Sequence, residues 1–147
     1  MIADASRRVQ YLSATYEGKK HDKAIADDES YTFPVHSTLY QDTGFQGYQP
    51  KAANTAKATD PAISMETLQP KKKPRGGELS DTEKETNRLI SAVRILVEHV
   101  INGVKRCRIV KDILRNRRAK YDDLVMETAC GLHNFRTTQR TAHTASA

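Results

Sequence analysis

Apolar residues fall at Leu89, Val93, Leu96, Val97, Val100, Ile101 and Val104, at offsets 0, 4, 7, 8, 11, 12 and 15. These trace one face of a 3.6-residue period and predict a long amphipathic helix. Ser80 or Asp81 offers its N-cap, and Glu83 and Glu85 stand in the first turn, where the helix dipole favours acids. Gly103 and the basic run after it predict a break around residues 106–110. A second helix is expected from Lys120 to Phe135, with Leu124, Val125, Ala129 and Leu132 on one side, followed by a disordered polar tail over 137–147. Upstream, Arg8 to Ser13 alternates as a strand leading into a turn at Gly18, and His21 to Asp28 suits a short helix. Ser37 to Gln41 reads as a second strand that runs into the Gly-containing loop Asp42 to Tyr48. Residues 49–77 keep no period and are expected to form a flexible loop or insertion, closed by the basic run Pro70 to Gly77.

With 147 residues, the chain suits one domain with a modest core or a piece of a larger one. No window approaches the roughly 20 apolar residues of a bilayer span, and the N-terminus lacks a signal-peptide pattern, so no membrane is expected and the location is read as cytoplasmic. Cys107 and Cys130 form no CxxC pair, which speaks against both a zinc site and a disulfide framework. The net charge of +6 is concentrated in residues 71–118, where 14 Lys and Arg stand against 6 Asp and Glu. Such density suits a polyanion, with phosphates the obvious candidate, and also fits a solvated basic face with no partner.

Two acids stand out. Asp42 lies at the end of an expected strand and at the entry to a Gly-containing loop, where a short carboxylate can face a cleft; a plain turn aspartate is the commoner reading of that position. Glu98 lies on the long helix, about 130° from the centre of the apolar stripe at about 100° per residue. Spacing alone favours a surface glutamate paired with Arg94. His21 and His99 are placed to support either acid, though a hydrogen-bonded structural histidine is the commoner case.

Longer strings change that weighing. Gly18-Lys19-Lys20-His21-Asp22-Lys23, Leu39 through Tyr48, Pro70-Lys71-Lys72-Lys73-Pro74, Asn87-Arg88 and Val97-Glu98-His99-Val100-Ile101 occur in that order. Lys105 to Ile109, Arg115 to Arg118 and Gly131-Leu132-His133-Asn134-Phe135 follow them. Together they resemble the DDE superfamily endonuclease domain of bacterial insertion-sequence transposases, related to the Harbinger elements, across about residues 8–136. The resemblance implies an α/β chain with a partial RNase H-like fold: a short mixed sheet with flanking helices, and three carboxylates that hold Mg²⁺ or Mn²⁺. By the resemblance Asp42 is the second acid of the set and Glu98 the third, both catalytic and both metal ligands. The DNA-binding set would be Lys71, Lys72, Lys73 and Arg75 before the glutamate helix, and Lys105, Arg106, Arg108, Arg115, Arg117 and Arg118 after it.

In the family the first aspartate sits on the first strand, in an Asp-Gly-Thr-like string well before the Gly…His-Asp string. Here only 17 residues precede Gly18, and Asp4 matches neither in context nor in distance. The expectation is therefore an N-terminally truncated catalytic domain over 1–136, lacking its first strand and first metal ligand. It would act on DNA at transposon ends in the nucleoid, be inactive alone, and pair with full-length transposase or itself. The alternative from another class is a non-catalytic basic protein that binds nucleic acid or associates with a transposase.

Overall fold

The computed structural model describes residues 1–16, 18–29, 31–34, 36–52 and 66–145. Its elements are β1 (Ile2–Ala3), β2 (Val9–Tyr11), α1 (Asp22–Glu29), β3 (Thr32–Phe33), β4 (Thr38–Tyr40), β5 (Lys51–Ala52), β6 (Glu66–Leu68), α2 (Asp81–Val104) and α3 (Tyr121–Ala145), with 3₁₀ turns at Thr43–Phe45 and Arg108–Val110. The chain is mixed α/β, as expected. The strands, each of two or three residues, form three separate two-stranded ladders among the described residues: β1–β2 antiparallel, β3–β5 parallel and β4–β6 parallel. Ladders this small are marginal alone and depend on helices to cover them. The described chain divides into two compact units, Met1–Thr15 with Arg94–Ala147, and Tyr16–Val93. No described helix is long and apolar enough to cross a membrane.

In the first unit Val9, Val100, Val104, Ala129 and Cys130 form the buried core, with Ala3, Leu12, Cys107 and Val110 packed around it. Burial pushes the Cys130 thiol pKa up, keeping it protonated and inert. The hairpin is fixed to α3 by one amide: Asn134 Oδ1 accepts from Val9 N at 2.8 Å, and Asn134 Nδ2 donates to Val9 O at 2.8 Å. One residue earlier, His133 Nε2 donates to the carbonyl of Arg7 at 2.8 Å, holding a turn residue whose φ is +63°. His133 also sets the approach of the two helices. A Cβ at Gly103 would lie 2.2 Å from His133 Nδ1, so only glycine fits there.

This close packing corrects the expected α3 stripe. Ala129 of that stripe is buried together with Cys130 and His133, whereas Leu124 and Leu132 are exposed, because small side chains and Gly103 let the helices meet to one side of the expected stripe. The helix also continues past the expected end at Phe135. Residues expected to form a disordered tail are helical to Ala145, built from helix formers such as Arg136, Gln139 and Arg140. The hydroxyls of Thr137, Thr138 and Thr141 donate back to carbonyls of the same helix.

In the second unit Ala26, Phe33, Tyr48 and Ile90 are buried. Tyr31 meets Phe33 and Tyr48 edge-on, with ring centroids 6.2 and 6.4 Å apart. Burial raises the Tyr48 pKa. Here too the expected stripe shifts: Leu89 is 63% exposed and its neighbour Ile90 only 1%, because the first half of α2 takes its packing partners from this unit. The expected loop 49–77 contains β5 and β6 at its ends; its residues 53–65 lie outside the described residues.

A mid-helix Gly→Ala change ordinarily stabilises by up to about 1 kcal/mol. Gly131→Ala, with nothing within 4 Å of the new methyl, is expected to do so. Gly103→Ala is expected to destabilise by about 1–3 kcal/mol, because the pinned His133 ring must move. Urea unfolding of both variants checks the opposite signs; equal shifts would show that the His133–Gly103 contact is absent.

Candidate functional site

Strand β4 pairs in parallel with β6, Thr38 opposite Glu66 through Tyr40 opposite Leu68, and Asp42 follows two residues after its end. Asp42 is exposed and caps the 3₁₀ turn Thr43–Phe45: its Oδ1 accepts from Thr43 N at 2.7 Å, and its carbonyl accepts from Phe45 N at 3.0 Å. Gly47, at φ +82°, completes the turn into Tyr48. Beneath it, Gln69 Nε2 donates to Gln41 Oε1 at 2.7 Å and to Phe45 O at 2.9 Å, tying β6 to the loop. Gln41 is buried, and its Nε2 has no hydrogen-bond partner among the described residues. Asp22, in the first turn of α1, reaches the same corner, where a Cβ at Gly44 would stand 2.7 Å from its Oδ2. Its carboxylate is thereby seated against the loop that Asp42 opens.

The basic run before α2 is fixed by a second amide clamp. Asn87 Oδ1 accepts from Lys71 N at 2.9 Å, and Asn87 Nδ2 donates to Lys71 O at 3.0 Å. Lys71 Nζ pairs with Glu83 Oε1 at 2.9 Å. Glu83 also accepts from Ser80 N at 2.9 Å while Ser80 Oγ accepts from Glu83 N at 3.3 Å, a reciprocal capping box at the helix start. The Lys71 and Ser80 hydrogen bonds hold the Glu83 carboxyl at about 2. Lys71 thus spends its charge locally, Lys73 lies 4.0 Å from Glu78, and Lys72 and Arg75 are exposed.

Glu98 belongs to the other unit and is exposed on α2, as its place off the apolar stripe predicts. Lys105, Arg106, Arg115, Arg117 and Arg118 are exposed there too, and Arg108 lies 3.9 Å from Asp112. In the same unit Asp123 accepts from Thr15 N at 2.6 Å, and hydrogen bonds from the Thr15 side chain and backbone lower its pKa. Carboxylates are the right donors for a hard divalent ion. Among the described residues, however, no three His, Cys, Asp or Glu side chains come close enough together to hold one. The residues that sequence reasoning passed over are Asn87, Asn134 and His133. Their signal was present in the Asn87-Arg88 and His133-Asn134 strings, but amide-to-backbone clamps leave no periodic trace.

The chain matches the family of DDE superfamily endonucleases over residues 1–134 and belongs to it. It is 28% identical over 119 residues to a probable transposase for insertion sequence element IS702 of Microchaete diplosiphon. That match covers 81% of this chain and 38% of the relative, so the chain spans well under half of that protein's length. No solved structure matches the chain.

A carboxyl lowered from 4.5 to about 2 contributes stability that is fully present above 4.5 and is lost as the pH falls through about 2. The Glu83 carboxyl, followed by NMR, is expected to titrate near 2, and the first turn of α2 to loosen over the same range. A midpoint near the ordinary glutamate value would show that the Lys71 and Ser80 bonds do not form.

Proposed function

We propose that this chain is the C-terminal part of a DDE transposase catalytic domain, acting on DNA at transposon ends within the nucleoid, with Asp42 and Glu98 as two of its metal-binding carboxylates. The observation that carries the reading is the family match over residues 1–134 together with an exposed Asp42 just past the carboxyl end of a parallel strand. Ligands of open parallel sheets gather at the carboxyl ends of their strands. The β4–β6 pair is accordingly read as the part of a partial RNase H-like sheet that presents the acid. Mg²⁺ or Mn²⁺ is the proposed cofactor; when bound, such an ion neutralises charge on the phosphodiester oxygens during strand cleavage and transfer. Asp42 and Glu98 are each proposed to supply oxygen ligands to such ions.

The resemblance implies three carboxylates, and no three candidate ligands group together among the described residues, so strand cleavage is expected when full-length transposase supplies a third acid. Lys71, Lys72, Lys73, Arg75, Lys105, Arg106, Arg108, Arg115, Arg117 and Arg118 are proposed to contact DNA phosphates. Phosphate contacts of this kind displace counterions and make affinity fall steeply with salt.

The test is a Mg²⁺- or Mn²⁺-dependent nicking assay on the element's ends, with the chain mixed with full-length transposase whose own second and third acids are mutated. Wild type is expected to restore nicking, and Asp42→Asn and Glu98→Gln to leave it at background. Equal activity in all three would sink the assignment of both acids, and nicking by the chain alone would overturn the need for a third. In duplex binding measured against salt, each of Arg115→Gln, Arg117→Gln and Arg118→Gln is expected to reduce the slope by up to about 0.9. An unchanged slope in the triple variant would remove these arginines from the interface.

A further inference from the structure

A cavity of about 900 Å³ opens in the unit formed by Met1–Thr15 and Arg94–Ala147, between the β1–β2 turn, the end of α2 and the last turns of α3. Arg7, Arg106, Arg136 and Arg140 line it together with His99 and His133, and no Asp or Glu is among its lining residues. Arg136 and Arg140 stand four apart on α3, on one face of the helix, and Arg7 and Arg106 border the same space. Arg7 is placed there by a backbone at φ +63°, a conformation rare outside glycine, and the His133 Nε2 bond to its carbonyl holds it. The backbone of Arg7 is thus fixed by a buried histidine, and four exposed arginines border one cavity.

We infer that this cavity binds phosphate groups. The planar guanidinium fork matches phosphate oxygens in bidentate fashion, and several arginines around one space suit a ligand with more than one phosphate. The source is either the backbone of a nucleic-acid strand or a free phosphate-bearing molecule. The inference rests on the geometry of this unit and not on the endonuclease reading: neither Asp42 nor Glu98 lines the cavity, and binding needs no metal.

Titration calorimetry of the full chain in chelator, with a four-nucleotide DNA single strand, with pyrophosphate and with a glutamate peptide of equal charge, tests it. Arg106→Gln with Arg136→Gln is expected to weaken binding of the tighter phosphate ligand by about tenfold or more. The surface double variant Lys19→Gln with Lys111→Gln removes as much charge and is expected to stay within about twofold. Arg106→Lys with Arg136→Lys keeps the charge and is expected to recover part of the loss, which separates binding from folding. Tighter binding of the strand than of pyrophosphate identifies nucleic acid as the source, and the reverse identifies a free phosphate ligand. Wild-type affinity in the Arg106→Gln, Arg136→Gln protein, or equal affinity for the glutamate peptide, would overturn the inference. Loss of nicking with binding retained would strike the proposed function and leave this site standing.

Discussion

The first unit depends on one amide. Asn134 donates to the carbonyl and accepts from the N–H of Val9, so the middle of α3 holds a two-stranded hairpin that could not persist in water by itself. Val9 then enters the core beside Val100, Val104, Ala129 and Cys130. That core is closed tightly because Gly103 carries no side chain where the His133 ring sits, and the same ring holds the turn at Arg7. Apolar packing supplies the area, but the register of helix against hairpin is set by polar groups of neighbouring residues on α3.

The same device recurs at the start of α2, where Asn87 grips both polar groups of the Lys71 peptide. The capping box between Ser80 and Glu83, with Lys71 on the outer carboxylate oxygen, then joins the basic run to the first helical turn. A segment rich in lysine and proline, with no apolar residues to bury, is thereby ordered without a core of its own. Of its cations, Lys72 and Arg75 are exposed and Lys71 is engaged, a division that charge counting could not reveal.

Much of this was legible in the sequence, for reasons that particular residues make plain. The period from Leu89 to Val104 and the acids after Ser80 placed α2 to within a residue, because both signals are local. Asp42 was legible as a strand-end residue because Tyr40 and the glycines at 44 and 47 bracket it. The face of each helix was read less well. Leu89 and Leu132 look like core residues by hydropathy, yet Ile90 and Cys130 take that place beside the expected Ala129, since which side is buried depends on where a partner is able to approach. Strands of two residues are too short to show alternation, and the division into two units follows from pairings no local pattern encodes. Asp22 was legible as an acid beside His21 but not as a neighbour of Gly44, a contact made only by the fold.

Both asparagine clamps grip peptide groups and ignore the side chain of the residue they hold. Positions 9 and 71 are therefore constrained through their N–H as much as through valine or lysine chemistry. At the exposed position 71 the grip would tolerate nearly any amino acid, with proline excluded because it has no hydrogen to donate. The burden of specificity falls on residues 87 and 134, where aspartate could accept but not donate and glutamine would overreach by a methylene. A chain built this way is free to vary its cationic surface, and with it any partner that surface meets, while the attachment of that surface to its helices stays the same.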